Sequence, residues 1–168
     1  MSAPDITQDY IRRLKANGAE AEDQRTSNAL FVAPGLWAIA GGRRWVWFYN
    51  QVRNGGPWDL KNTAYKAYRV SGIALCGRQY RVDMTGNFHY GFCGAAAGFL
   101  DYTLFKLAGE AQQRAGTSRS EFSCTYGDDP EDHEFIRLGI LLYETHALAV
   151  DDVSLGSILG KFQNIVCR

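Results

Sequence analysis

A chain of 168 residues falls within the size range of a single domain, and folding at this length buries roughly two-thirds of the surface of the unfolded chain. Hydrophobic residues make up 46% and charged residues 21% of the chain, which excludes wholesale disorder. Eighteen Lys plus Arg balance eighteen Asp plus Glu. The chain therefore lacks the overall positive field that drives non-specific binding to nucleic acid, although a local basic strip remains compatible with zero net charge.

The amino-terminal segment shows no basic stretch followed by an apolar one, so we expect no cleaved signal peptide. No apolar run reaches the length of about 18 residues that spans a bilayer, and membrane insertion is not expected. The sequence thus predicts a protein that is soluble where it is made. If it acts elsewhere, specialised machinery must carry it.

The four cysteines are not arranged in a Cys-x-x-Cys pattern, which argues against a zinc ribbon. They stand at Cys76, Cys93, Cys124 and Cys167. Two disulfides and four buried free thiols are both compatible with this pattern.

The first predicted helix covers residues 5–17, because apolar residues recur there at helical spacing. Asp5 is expected to cap its start and Gly18 to stop it. The polar, aperiodic residues 19–29 are then expected to form a surface connection.

A second helix is predicted over residues 43–53, with apolar side chains at i, i+3, i+4 and i+7. The turn-forming run at residues 54–57 closes it. Residues 65–83 contain short stretches rich in Tyr, Val and Ile between glycine pairs, which predict a small hairpin.

The strongest helical signal covers residues 92–115, where small residues come first and polar residues last. Its small residues allow another backbone to approach closely, so we expect it to be the central helix. A further helix is predicted over residues 130–146, capped by Asp128 or Asp129 and with a proline in its first turn.

The apolar tail at residues 153–166 predicts a last helix. No repeat or linker divides the chain. We therefore expect one mostly α domain (α+β) over residues 1–168, with about five helices around a small-residue-rich central helix and a minor β-hairpin.

The run Gly86-Asn87-Phe88-His89-Tyr90-Gly91 is the most informative stretch for chemistry. It is expected to form a glycine-flanked turn just before the central helix, where backbone donors and the helix dipole favour developing negative charge. His89 is the predicted general acid or base, with Asn87 and Tyr90 beside it at the catalytic site. A lone histidine is also often a structural residue.

The run from Trp58 to Lys61 follows a glycine-proline turn. Asp59 is a candidate to orient His89 or to act as a carboxylate acid or base, and the alternative is a helix cap beside a surface Lys61. Trp58 and Lys61 are predicted to bind substrate.

A third cluster contains Asp128, Asp129, Glu131 and Asp132. Clustered carboxylates can bind a metal or serve in glycoside hydrolysis, and before a helix they are often simple caps. We assign Asp128, Asp129 and Asp132 to substrate binding and expect no metal and no cofactor.

These motifs occur in one order along the chain: residues 47–61, residues 86–99, and residues 126–132 with Ile136 and Gly139. They resemble the polymorphic toxin type 44 domain over about residues 45–143. The resemblance implies a toxin that a specialised secretion system delivers and that an immunity protein neutralises.

The chain departs from that family pattern in two places. Cys93 stands where a Thr-like residue is expected, so a cysteine peptidase built on Cys93 and His89 is a minor alternative. Residues 65–83 are also longer than usual.

The leading hypothesis is an antibacterial effector that hydrolyses peptidoglycan in the target periplasm, with His89 as general acid or base. The alternative is a metal-independent ribonuclease in the target cytoplasm, in which Asn87, Tyr90 and an arginine hold the phosphate. A non-enzymatic adaptor or immunity protein is the third class. The expected partners are an immunity protein, a secretion-system carrier, and peptidoglycan or RNA as substrate.

Overall fold

The computed structural model describes residues 3–30 and 37–167. Within these residues the chain forms six α-helices and one two-stranded antiparallel hairpin, with short 3-10 helices at Lys66–Tyr68 and Ser120–Thr125. The elements are α1 (Thr7–Leu30), α2 (Trp37–Val52), β1 (Ile73–Leu75), β2 (Arg78–Tyr80), α3 (Asp83–Ala96), α4 (Asp101–Arg114), α5 (Pro130–His146) and α6 (Asp152–Leu159). The predicted mostly α fold with a minor hairpin is confirmed. No helix in the described ranges is long and apolar enough to cross a bilayer.

Helices α3 and α5 pack backbone against backbone at the centre of the molecule. A Cβ atom at Gly139 of α5 would overlap the carbonyl oxygen of Phe88, and one at Gly91 of α3 would overlap the carbonyl oxygen of Ile136. Close approach of this kind requires glycine on both helices, since any side chain would push the backbones apart. The central helix of the fold is therefore α3.

Helix α1 begins as predicted but does not end where predicted. The Asp5 carboxylate accepts a hydrogen bond from the backbone N–H of Thr7 at 2.9 Å, as a cap does. The expected stop at Gly18 is wrong, and residues 19–29 are helical rather than a connection. Gly18 packs tightly against Phe92, and the buried face continues at Ala21. The residues that continue this face are small, so the sequence shows no recurring large apolar residues there that would predict a helix.

The single long helix predicted over residues 92–115 is wrong, because the chain turns between α3 and α4. Gly98 adopts a left-handed conformation with φ of +77°. The N–H of Gly98 donates to the carbonyl of Ala95 at 2.8 Å, and the N–H of Phe99 donates to that of Gly94 at 3.1 Å. This pair of hydrogen bonds is a Schellman motif, which ends a helix at a glycine.

Because α3 begins at Asp83, the run at residues 86–91 lies inside a helix. The prediction of a glycine-flanked turn before a helix is therefore wrong. In this run Gly91 allows the close approach of α5, whereas a Cβ at Gly86 would meet nothing within 4 Å.

The other elements agree more closely with the sequence. Helix α2 ends at Val52, one residue before the predicted end, and its described part begins at Trp37, earlier than predicted. Helix α5 begins at Pro130 behind Asp129, whose side chain accepts from the N–H of Glu131. Helix α6 is shorter than the predicted tail helix and ends before Gly160.

The cysteines match neither predicted alternative, two disulfides or four free thiols. Cys124 and Cys167 form a disulfide, whereas Cys76 and Cys93 are free. The bond ties the non-helical carboxy-terminal segment to the 3-10 helix that precedes α5. The Gln163 N–H also donates to the buried carboxylate of Glu134 at 3.0 Å, so the segment is attached at two points.

Replacing Gly139 with alanine tests the contact between α3 and α5. We expect Gly139→Ala to lower the free energy of unfolding by about 3 kcal/mol or more, because the new methyl group overlaps the Phe88 backbone. Gly86→Ala on α3 is the matched control, since a Cβ there meets nothing within 4 Å. It should raise the free energy of unfolding by about 0.5–1 kcal/mol. Equal effects of the two changes in urea titrations would contradict this account of the core.

The disulfide gives a second prediction for stability. Its cysteines are separated by 43 residues, and a bond of this span stabilises by about 2–4 kcal/mol, chiefly through the unfolded state. Cys167→Ser should lower the free energy of unfolding by that amount under oxidising conditions. Cys76→Ser should change it by less than about 0.5 kcal/mol. A Cys167→Ser variant as stable as the wild type would show that the bond does not constrain the fold.

Candidate active site

A cleft of about 610 Å³ opens between α2, α3, α4 and the start of α5. This volume is in the range of ligand-binding sites, about 300–1,000 Å³. The cleft brings together side chains from all three sequence motifs. Its walls include every predicted site residue except Asp129, namely Trp58, Asp59, Lys61, Asn87, His89, Tyr90, Asp128 and Asp132.

His89 lies at the floor of the cleft and is only 1% exposed. Its Nε2 lies 2.9 Å from Asn17 Nδ2 and 3.4 Å from Cys93 Sγ. Its ring packs edge-on against Trp58, with 5.5 Å between centroids. Burial, and to a smaller degree the charge of Arg13, lowers the pKa of His89 to about 3.

His89 is therefore neutral at physiological pH. An amide nitrogen donates hydrogen bonds and cannot accept them, so Nε2 of His89 is the acceptor from Asn17 and carries no proton. His89 also lies in the interior of α3, away from the helix terminus that was expected to support it. This arrangement does not favour His89 as a proton donor.

Cys93 lies one helical turn after His89 and is fully buried. Burial raises the pKa of the Cys93 thiol well above its usual value, with a smaller contribution from Glu20. Beside a neutral imidazole the thiol stays protonated, whereas a cysteine nucleophile must be a thiolate that substrate can reach. The peptidase alternative therefore gains no support.

Asp59 is buried, but its carboxylate serves the turn that follows α2. Its Oδ2 accepts hydrogen bonds from the Gly55 N–H and from Asn62 Nδ2, each at 2.8 Å. Within the described residues it makes no hydrogen bond to His89. Asp59 therefore stabilises the turn after α2, and among the described residues no helix begins directly after it.

Asn87 and Tyr90 lie on the same helix but differ in their partners. The Tyr90 hydroxyl donates to the carbonyl of Leu104 at 3.1 Å, and burial raises its pKa well above the usual value. The Asn87 carboxamide faces the cleft and makes no side-chain hydrogen bond to another described residue. Tyr90 is therefore held by the fold, whereas Asn87 is free to bind a ligand.

Asp128 and Asp132 are carboxyl groups in the wall of the cleft. Asp128 is 2% exposed, and its buried Oδ2 has no hydrogen-bond partner. Asp132, in the first turn of α5, accepts from Gln112 Nε2 at 3.3 Å. Burial first, and then the charge of Asp132, raises the pKa of Asp128 to about 7.

Burial also raises the pKa of Asp132 to about 6, together with the charge of Asp129. The nearby Lys61 ammonium acts in the opposite direction and lowers the pKa of Asp132. The two carboxyl groups therefore differ in proton affinity. Near neutral pH Asp128 holds a proton more readily than Asp132, as in a general acid and its ionised partner.

Asp129, the remaining predicted site residue, is not in the cleft wall. Its carboxylate caps α5 by accepting from the Glu131 N–H at 2.9 Å. His133 stacks on Phe105 at 4.2 Å between ring centroids. Among residues 3–30 and 37–167, no group of three or more His, Cys, Asp or Glu side chains is placed to hold a metal ion.

The structure adds cleft residues that the sequence motifs did not identify. Trp45 and Tyr49 come from one face of α2, Arg53 directly follows that helix, and Gln112 and Arg114 come from the end of α4. The spacing i, i+4, i+8 is a signal that could have grouped the first three. Nothing in the sequence pattern distinguishes Gln112.

The raised pKa of Asp128 predicts a pH-dependent stability. Because the folded state holds the Asp128 proton more tightly than the unfolded chain, the contribution of Asp128 to wild-type stability falls as the pH rises from about 4 to above 7. Asp128→Asn removes this loss, so the variant should gain roughly 2–4 kcal/mol over the wild type between pH 4 and pH 8. Urea titrations across this range measure it. Asp23→Asn, which removes an exposed carboxylate of α1, is the control. A difference between Asp128→Asn and wild type that does not change with pH would contradict the assignment.

The comparison with protein families agrees with the motifs. The model of the family described as bacterial toxin 44 matches residues 46–145, which is more than half of the chain. All residues that line the cleft lie within this range except Trp45. No curated protein and no solved structure shows significant similarity to the chain. On the family match, the chain belongs to the bacterial toxin 44 family.

Proposed function

We propose that this toxin is a hydrolase that cleaves the glycan strand of peptidoglycan, with Asp128 as proton donor and Asp132 as its ionised partner. One observation carries the proposal. The Oδ2 atom of Asp128 is buried in the wall of the cleft without a protein partner, four residues before Asp132 in the same wall. Most glycoside hydrolases use such a pair of carboxyl groups.

The environments of the two carboxyl groups suit different roles. Asp128 would protonate the oxygen of the departing sugar as the glycosidic bond breaks. Asp132 accepts a hydrogen bond from Gln112, and the charge of Lys61 favours its ionised form. It would assist attack on the sugar carbon, directly or through a water molecule. His89 would support the floor of the cleft through Trp58 rather than exchange protons.

The disulfide and the cleft composition support an extracytoplasmic substrate. A bond such as Cys124–Cys167 forms and persists in oxidising compartments, of which the bacterial periplasm is one. The aromatic side chains in the cleft suit sugar rings. We therefore propose that the toxin is secreted by a specialised system, acts in the target periplasm and is neutralised in the producer by an immunity protein.

The direct test is digestion of purified peptidoglycan. Wild-type protein should release fragments with new reducing sugar ends, which mass spectrometry identifies. Asp128→Asn and Asp132→Asn should each lower kcat by about 10²–10⁴-fold, and Asp23→Asn should leave it unchanged. Activity should be greatest between pH 6 and 7, where one carboxyl is protonated and the other ionised. Release of peptide fragments without new reducing ends would overturn the glycosidase assignment.

Expression in bacteria separates this proposal from the ribonuclease alternative. Arg53, Lys61 and Arg114 also line the cleft and suit a phosphate. If the proposal is correct, only protein exported to the periplasm kills cells, and Asp132→Asn abolishes killing. Degradation of cellular RNA by protein kept in the cytoplasm would instead establish the ribonuclease.

A further inference from the structure

One face of α2 and the residue after it present a row of three side chains to the cleft. Trp45 and Tyr49 lie on α2, and Arg53 directly follows its last residue, with its backbone N–H donating to the Tyr49 carbonyl at 2.9 Å. The four-residue spacing places the three side chains along the same side of the helix and its end. The rings of Trp45 and Tyr49 are 6.3 Å apart between centroids and inclined at 42°. We name these three residues the α2 row.

Trp45 packs edge-on against Phe99 with 5.7 Å between ring centroids, but packing does not explain why Tyr49 and Arg53 face the cleft. Tyr49 is 50% exposed, although most large apolar surfaces of the chain are packed in the core. Arg53 is exposed and makes no ion pair within the described residues. The other arginine of the cleft, Arg114, pairs with Glu110. The α2 row therefore combines aromatic surface and an uncompensated positive charge in a site that a ligand can enter.

The α2 row lies on a different wall of the cleft from the carboxyl groups. Asp128 and Asp132 come from the start of α5, whereas the row comes from α2 and the residue after it. A substrate that extends across the cleft would thus contact both. We assign the row no part in bond cleavage, so its effect would be on binding.

We propose that the α2 row is a second binding subsite, which takes a sugar ring on Trp45 and Tyr49 and an acidic group beside that ring on Arg53. Aromatic faces pack against the apolar faces of sugar rings, and a guanidinium binds a carboxylate through two parallel hydrogen bonds. The ligand class is a glycan strand that carries acidic peptides. This inference rests on the proposed function and defines its substrate more narrowly.

The test compares two substrates that differ only in the charge of the acidic peptides. One is soluble peptidoglycan strands with their stem peptides, and the other is the same strands after their carboxyl groups have been converted to neutral amides. Arg53→Ala should raise KM at least tenfold on the first substrate and leave it unchanged on the second. Tyr49→Ala should raise KM on both, and neither variant should change kcat.

Two matched variants control for the loss of exposed side chains. Tyr102 is 57% exposed on α4 and Arg43 is exposed on α2, and neither lines the cleft. Tyr102→Ala and Arg43→Ala should therefore leave KM unchanged on both substrates. An Arg53→Ala effect that is equal on the two substrates, or a Tyr49→Ala effect no larger than that of Tyr102→Ala, would overturn the subsite.

Calorimetric binding of the same strands separates failure of the subsite from failure of the proposed function. If the wild type binds the unmodified acidic strands and Arg53→Ala weakens that binding at least tenfold, the subsite stands even where no cleavage is seen. The glycosidase proposal alone would then fail. If binding of both strands is unaffected by Arg53→Ala and Tyr49→Ala, the subsite is wrong whether or not the strands are cleaved.

Discussion

The backbone contact between α3 and α5 is the interaction on which the rest of the molecule depends. Gly91 and Gly139 let the two helices meet without intervening side chains. This contact places the floor of the cleft, formed by α3, directly beside the carboxyl groups at the start of α5. A separation of the two helices by even one methyl group would move Asp132 relative to His89 and Asn87. The geometry of the cleft thus depends on the absence of side chains where α3 and α5 meet.

Burial then determines the chemistry of each ionisable group in the cleft. It lowers the pKa of His89 and raises the pKa of Asp128, because in both cases the charged form loses contact with water. The same effect keeps Cys93 a thiol. One physical cause therefore removes the histidine and the cysteine from proton exchange near neutrality and makes an aspartic acid available for it.

The sequence predicted the parts of the fold that local signals determine. The cap and proline at the start of α5 and the glycine turn after α2 are local chemistry, and both were confirmed. The continuation of α1 through Gly18 depends on packing against Phe92, which no local pattern shows. The break at Gly98 was missed because the residues on both sides favour a helix. Tertiary packing, rather than local helix propensity, determined both helix boundaries.

The candidate site was likewise predicted only in part from the sequence. The three motifs do meet in one cleft, but His89, which the sequence placed on a turn before a helix, is buried inside α3. Asp128 and Asp132 are proposed to hold one proton between them in the cleft near neutral pH. Carboxyl ¹³C NMR of labelled aspartates tests it most directly. We expect Asp128 and Asp132 to titrate with apparent pKa values of about 7 and about 6, and Asp132→Asn to lower the value for Asp128. Titration of both groups near the ordinary aspartate pKa of about 4 would contradict the account.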